Sequence, residues 1–83
     1  MSFNFLDIQI SDVVIKKVRK YKLENQFKKV IWYIRDGKLK TVRFKLRQPK
    51  SKWIYYFRIN KQYRAWGKVK GKVLYVFDID DHS

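Results

Sequence analysis

Two arginines on one stretch, Arg58 and Arg64, and the single histidine, His82, are the residues of this chain best suited to chemistry on a phosphate. Arginine presents a planar fork that donates two parallel charge-assisted hydrogen bonds, and its charge is permanent. Histidine exchanges a proton near neutrality, because its unperturbed pKa is about 6.5. The arginines lie in Ile54-Tyr55-Tyr56-Phe57-Arg58-Ile59-Asn60-Lys61-Gln62-Tyr63-Arg64, where aromatic and basic residues mix, and the histidine lies in the final Asp80-Asp81-His82-Ser83. From Gly37 through Phe77 the chain has no Asp or Glu but thirteen Lys and Arg, Lys45, Arg47, Lys50, Lys52 and Lys61 among them. Such an excess describes a face that binds a polyanion.

These groups act together only if regular elements turn them to one side. Phe3 through Ile10 alternates loosely, as a short first strand does. Ser11-Asp12 then makes a good helix start, since the Ser hydroxyl can accept from a free amide in the first turn. Val14, Val18 and Tyr21 recur at helical spacing, and after a break near Glu24-Asn25 the pattern resumes at Phe27, Val30, Ile31 and Ile34, with Asp36-Gly37 as the stop. Either a two-helix hairpin or one bent helix fits. Beyond Gly37 the period becomes two: Val42, Phe44 and Leu46 alternate with basic residues, Ile54 to Ile59 alternates again, and Tyr63 to Val69 and Val73 to Ile79 read as two more strands. Gln48-Pro49-Lys50-Ser51 and Lys70-Gly71 mark turns, the second a tight hairpin. The expected fold class is α+β: a short N-terminal strand, a two-helix hairpin, then a three- to four-stranded antiparallel sheet with the helices on one face and a basic, aromatic face opposite.

Composition bounds the possibilities. The 83 residues suffice for a single domain, and 46% hydrophobic with 18% aromatic content is enough to fold it. A net charge of +14 points to nucleic acid or to an acidic protein that masks it. With no cysteine and one histidine, disulfides, thiolate catalysis and the usual zinc ligand sets are excluded, and neither a metal nor a cofactor is expected. No apolar run approaches the ~20 residues that span a bilayer, and no basic segment followed by an apolar stretch opens the chain. A cytoplasmic protein without membrane contact is the expectation.

Arg58-Ile59-Asn60-Lys61-Gln62-Tyr63-Arg64, followed by a strand pair and a near-terminal histidine, resembles the RelE/ParE superfamily of type II toxins, in particular its YoeB and HigB branches. The similarity runs from about Thr41 to the C-terminus, and covers the helical part by element order alone. It implies a small basic toxin, in many members an endoribonuclease that binds the ribosomal decoding site and cleaves messenger RNA, in the ParE branch an inhibitor of DNA gyrase. It also implies a cognate antitoxin, here expected to be acidic, which silences the toxin in a hetero-oligomer and covers the Arg58 and Arg64 face. By the resemblance, Arg64 binds the scissile phosphate, His82 transfers a proton, Arg58 is the first arginine of the motif, and Lys45, Arg47, Lys50 and Lys52 correspond loosely to the family's basic loop; these four, with Arg58 and Lys61, are the candidates for RNA or phosphate contacts. Two positions depart from it. YoeB-like members carry a glutamate base before the Arg-Ile-Asn strand, where this chain has no acid between Asp36 and Asp78. Other members have an aromatic residue after the histidine, where Ser83 stands here.

Cleavage by the RNA 2′-hydroxyl asks for the same residue types. One group must remove a proton, another must protonate the 5′-leaving oxygen, and cations must face the charge gathering on phosphorus. Asp81, beside His82, is the acidic catalytic candidate, and Asp80 or Asp81 can orient the imidazole. Tyr55, Tyr63 and Trp66 are candidates for stacking on unpaired bases. Each residue also has a plainer role open to it: Arg64 can pair with Asp78 or Asp80 across strands, His82 can be a solvated terminal residue, and the aromatics can be core. A degenerate relative that binds RNA without cutting it is the third functional class open to the sequence.

Overall fold

The computed structural model describes residues 5–47 and 53–81. Among them the order is β1 (Asp7–Ile10), α1 (Asp12–Lys20), α2 (Glu24–Arg35), β2 (Lys45–Leu46), β3 (Ile54–Arg58), β4 (Tyr63–Lys70) and β5 (Val73–Asp81). The five strands form one sheet in the order β1-β5-β4-β3-β2. Strands β2 to β5 are antiparallel neighbours, as the sequence pattern predicts. The first strand joins the same sheet in parallel with β5, Asp7 opposite Val73 and Ile10 opposite Val76. A parallel pair needs a long connection, and the two helices and the strands after them provide it.

Ser11 caps α1: its Oγ accepts from the Val14 amide at 3.3 Å and lies 3.3 Å from the Phe77 carbonyl, tying the helix start to β5. Lys17, Arg19 and Lys20 fill the last turn, where the helix dipole favours cations. Lys22 then takes a positive φ of 57°, which ends α1 and resolves the choice between two helices and a bent one. The helices and the sheet share one core. Val14, Val18, Phe27, Val30, Ile31 and Ile34 pack against Phe57, Ala65, Leu74, Val76 and Ile79.

One expected strand is shorter than its alternation suggests. Arg43 has φ of 54°, which interrupts the extended backbone, so only Lys45–Leu46 pairs as β2. Val42 is buried and Phe44 packs on the core all the same. The Val42 carbonyl accepts from the Arg58 amide at 2.8 Å, holding this segment against β3. The β4–β5 hairpin turns as expected, through Gly71 at φ of 61°, a conformation glycine adopts without Cβ strain. The Gln48-Pro49-Lys50-Ser51 turn lies outside the described residues.

A bulge within the β4–β5 pair sets the geometry of the site. Gly67 faces Val76 but Trp66 faces Asp78, so Phe77 is an extra residue in β5. From there to the end of the strand every partner is displaced by one, and Arg64 meets Asp80 where an unbroken register would set it against Ile79.

Candidate functional site

The helices cover one face of the sheet, and the charged residues collect on the other. Residues directly opposite each other on neighbouring strands share a face. One such row is Arg58, Arg64 and Asp80 on β3, β4 and β5. The next is Lys45, Tyr56, Trp66 and Asp78, from β2 to β5. Between them Arg43, Lys45, Tyr56, Arg58 and Arg64 line a cup of about 130 Å³. Four of these five side chains are cations.

Arg64 is held on three sides. Its Nε donates to Asp80 Oδ1 at 3.2 Å, and its guanidinium carbon lies 4.9 Å from the Trp66 ring centroid and 5.4 Å from that of Tyr56. Arg47 covers Trp66 as well, also at 4.9 Å. Each cation–ring contact contributes roughly 0.5–1 kcal/mol at such partly exposed sites. Arg58 stands directly opposite Arg64, and like charges in that position destabilise a strand pair unless an anion lies between them. The arrangement therefore suits a phosphate: two opposed arginines, a lysine and a further arginine at the rim, and a tyrosine.

The hairpin joining β3 to β4 is built by Asn60. Its Oδ1 accepts from the amides of Gln62 and Tyr63, both at 2.8 Å, while its Nδ2 donates to Gln26 on α2 at 2.8 Å. An asparagine closing a turn through its own side chain fixes the register of the strands on either side. In the Arg58-Ile59-Asn60 run the asparagine shapes the turn, and Arg58 and Arg64 emerge from the two strands it joins.

Of the residues singled out by sequence, Arg58, Arg64 and Lys45 meet in the cup, and Arg47 lies beside it on Trp66. Lys61 is exposed in the hairpin turn, outside the cup. Lys50, Lys52 and His82 lie outside the described residues. The acid next to Arg64 is Asp80 and not Asp81. Asp81 is opposite Tyr63, on the other side of the sheet, where its Oδ2 accepts from Gln62 Nε2 at 3.0 Å.

The three expected stacking platforms also need correction. Tyr55 and Tyr63 have the opposite strand parity from Arg58 and Arg64. Tyr55 is 6% exposed and stacks on Phe44 at 5.0 Å, with burial pushing its phenol pKa up. Tyr63 stacks on Tyr21 at 4.7 Å, and burial first, then Asp81 and Tyr21, raise its pKa. Trp66 does lie on the site face, but at 8% exposed it is a floor beneath Arg47 and Arg64. The ring that reaches the cup is Tyr56. The sequence does not single out Tyr56 or Arg43 for the site; Asp80 it offers as one of two cross-strand partners for Arg64, and this is the pair that forms. Parity marks Tyr56 as a neighbour of Arg58, whereas Arg43 enters through its positive φ and Asp80 through the bulge.

A larger groove, of about 700 Å³, lies on the helical side of the molecule. It is bordered by apolar side chains such as Ile15, Phe27 and Trp32 and by charges of both signs, Arg19, Lys28 and Arg35 with Glu24 and Asp36. Among the described residues no group of three or more His, Cys, Asp or Glu is gathered to hold a metal ion, and no helix is long and apolar enough to cross a membrane.

The fold, a basic sheet face backed by two helices, is YafQ/RelE-like, in agreement with the resemblance carried by the Arg58–Arg64 run. Among solved structures, the chain is similar to YafQ from E. coli strain BL21(DE3), at 16% identity and a TM-score of 0.70 over 92% of each chain. It is equally similar to a crystallised E. coli DinJ-YafQ complex, at 17% identity and a TM-score of 0.71, again over 92% of each chain. A second structure, described as the E. coli DinJ-YafQ toxin-antitoxin complex, matches at 17% identity and a TM-score of 0.71, covering 92% of this chain and 91% of the other. No family model matches the chain, and no curated protein sequence matches it.

Proposed function

We propose that this chain is the toxin of a type II toxin–antitoxin pair and that it acts as a metal-independent endoribonuclease on messenger RNA at the ribosome. The observation that carries the reading is the cup in which Arg58 and Arg64 oppose each other beside Arg43 and Lys45 on the open face of a YafQ-like fold. Cations so gathered stabilise the charge that develops on phosphorus when the RNA 2′-hydroxyl attacks it. Arg64, tethered through Nε, directs its terminal nitrogens to the nonbridging oxygens, a geometry that favours bidentate binding. His82, one residue beyond β5, supplies the proton for the 5′-leaving oxygen.

Two further elements belong to the same proposal. The chain works in the cytoplasm, where translated message is found. It is silenced by an acidic antitoxin, since an acidic segment on the cup offsets part of the +14 charge and associates quickly through long-range attraction. The fold neighbours crystallised with DinJ are consistent with a partner of this kind.

A second reading, RNA binding without cleavage, is favoured by the makeup of the cup. Its described lining consists of cations and one tyrosine, with no carboxylate or imidazole. Controlled expression of wild type, Arg64→Ala and His82→Ala in a bacterial host, with growth and primer extension on an abundant message, separates the readings. Growth arrest with cuts at discrete translated positions in wild type alone supports the nuclease. Arrest with intact message directs attention to DNA gyrase, and RNA affinity without arrest to a binding protein.

A further inference from the structure

We infer that Asp80 is a positioning residue for Arg64, holding its guanidinium so that the terminal nitrogens meet a phosphate in the cup. Three independent features converge on it. Asp80 Oδ1 accepts from Nε of Arg64 at 3.2 Å, so the tether takes up the inner nitrogen and leaves the outer fork for a ligand. The aromatic floor of Tyr56 and Trp66 sets the plane of the guanidinium, and Asp80 sets its rotation. Arg58, directly opposite Arg64 on β3, repels it, and Asp80 on β5 draws it the other way.

The bulge makes this possible. Phe77 is the extra residue; were it paired with Trp66 in an unbroken register, the partner of Arg64 would be the apolar Ile79, which is buried in the core. Bulges are built where a strand must re-aim a side chain. Here the one-residue shift brings an acceptor into line with the arginine that the site depends on.

The inference rests on the phosphate reading of the cup, and electrostatics alone predicts a different outcome, which makes a sharp test. Asp80→Asn and Asp80→Ala remove the same negative charge, but only asparagine retains an oxygen that accepts from Nε. The probe is a short single-stranded RNA oligonucleotide, titrated at fixed salt against wild type, both Asp80 variants and Arg64→Ala. Positioning predicts that Asp80→Asn binds at least as tightly as wild type and that Asp80→Ala binds about tenfold more weakly than Asp80→Asn, the equivalent of one misaligned charge-assisted hydrogen bond. Equal binding by the two Asp80 variants, with Arg64→Ala weakened, overturns the inference and leaves the phosphate reading standing. Wild-type affinity in Arg64→Ala overturns both.

A structural readout runs in parallel. The Arg64 Nε proton should give a slowly exchanging NMR signal in wild type and Asp80→Asn, and should lose it in Asp80→Ala. An unchanged signal in Asp80→Ala also overturns the inference. Because the pair is partly exposed, at 32% and 41%, all three Arg64 and Asp80 variants are expected to fold, which thermal unfolding of the same samples checks.

Discussion

Raising the salt concentration is the perturbation that interrogates the cup most simply, because each phosphate neutralised by a protein cation releases bound counterions. For single strands the logarithm of affinity falls with the logarithm of salt at roughly −0.7 per contact. The cup offers Arg43, Lys45, Arg58 and Arg64, and Asp80 offsets part of the last. Three to four effective contacts give a slope of about −2 to −3, so a rise from about 50 to 200 mM salt should weaken binding of a short RNA roughly 20- to 50-fold. Fluorescence anisotropy with a labelled oligonucleotide at four or five salt concentrations measures the slope directly. Arg58→Ala and Lys45→Ala should each make it shallower by about 0.7. Lys29→Ala is the control, since Lys29 is on α2, where its ammonium lies over Tyr33. A slope near zero, or one that Lys29→Ala changes as much as Arg58→Ala does, would refute localisation of the anion site in the cup.

Three further outcomes follow from the packing and the ion pairs. Phe57→Ala removes a fully buried ring that stacks near Phe44 and should destabilise the domain by about 3–5 kcal/mol in urea unfolding; a loss under about 1 kcal/mol would show that the core is not centred there. Gly67→Ala sets a methyl group 2.8 Å from Cδ1 of Leu74, which is itself fully buried, so the variant should lose about 1–3 kcal/mol, and an unchanged melting temperature would contradict the packing of β4 on β5. Burial pushes the Asp78 pKa up, but hydrogen bonds from Lys17 at 2.7 Å and from the Ile79 amide outweigh it and hold the carboxyl below its ordinary value, while the bond to Asp78 raises the pKa of Lys17. The stability due to Asp78 is therefore present above the ordinary carboxylate pKa and disappears as pH falls through the lowered folded value; that due to Lys17 is present below its ordinary pKa and disappears as pH rises through the raised one. For this partly exposed pair Asp78→Asn should cost about 0.5–1 kcal/mol near neutrality, and the cost should shrink as pH falls through the lowered carboxyl value; a cost that does not change with pH would rule out the ion pair as its source.

Much of the fold is legible in the chain because period and punctuation agree. Ser11 caps a helix, Val14 to Ile34 follows a helical stripe, Gly71 turns a hairpin, and the alternation after Ile54 gives β3. Non-local pairing is less legible: nothing in Asp7–Ile10 says that it will lie parallel to β5, since register there is fixed by the core beneath it. The site shows the same division. Strict alternation puts Tyr56 with Arg58 and Trp66 with Arg64, and it separates Tyr55 and Tyr63 from them, so parity alone distinguishes the site face from the core. Asp78 and Asp80 are both open to Arg64 in the sequence, and the bulge decides for Asp80; the buried series Leu74, Val76, Ile79 changes parity where the extra residue falls. Arg43 is hidden because its place depends on a positive φ at a residue that is not glycine. These are the positions where local pattern gives way to the tertiary arrangement: Arg43 lines the cup, and Asp80 holds Arg64, which lines it too.

The most direct test of the account is cleavage of a defined message on purified, programmed ribosomes by the purified chain, with products mapped by primer extension. The account predicts cuts at the codon in the decoding site by wild type, with Arg64→Ala slowed by about 10²–10³-fold, as when one oxyanion-stabilising donor is removed. Intact message with wild-type protein that binds RNA in a salt-dependent way would contradict it, and would leave the cup as a binding site alone.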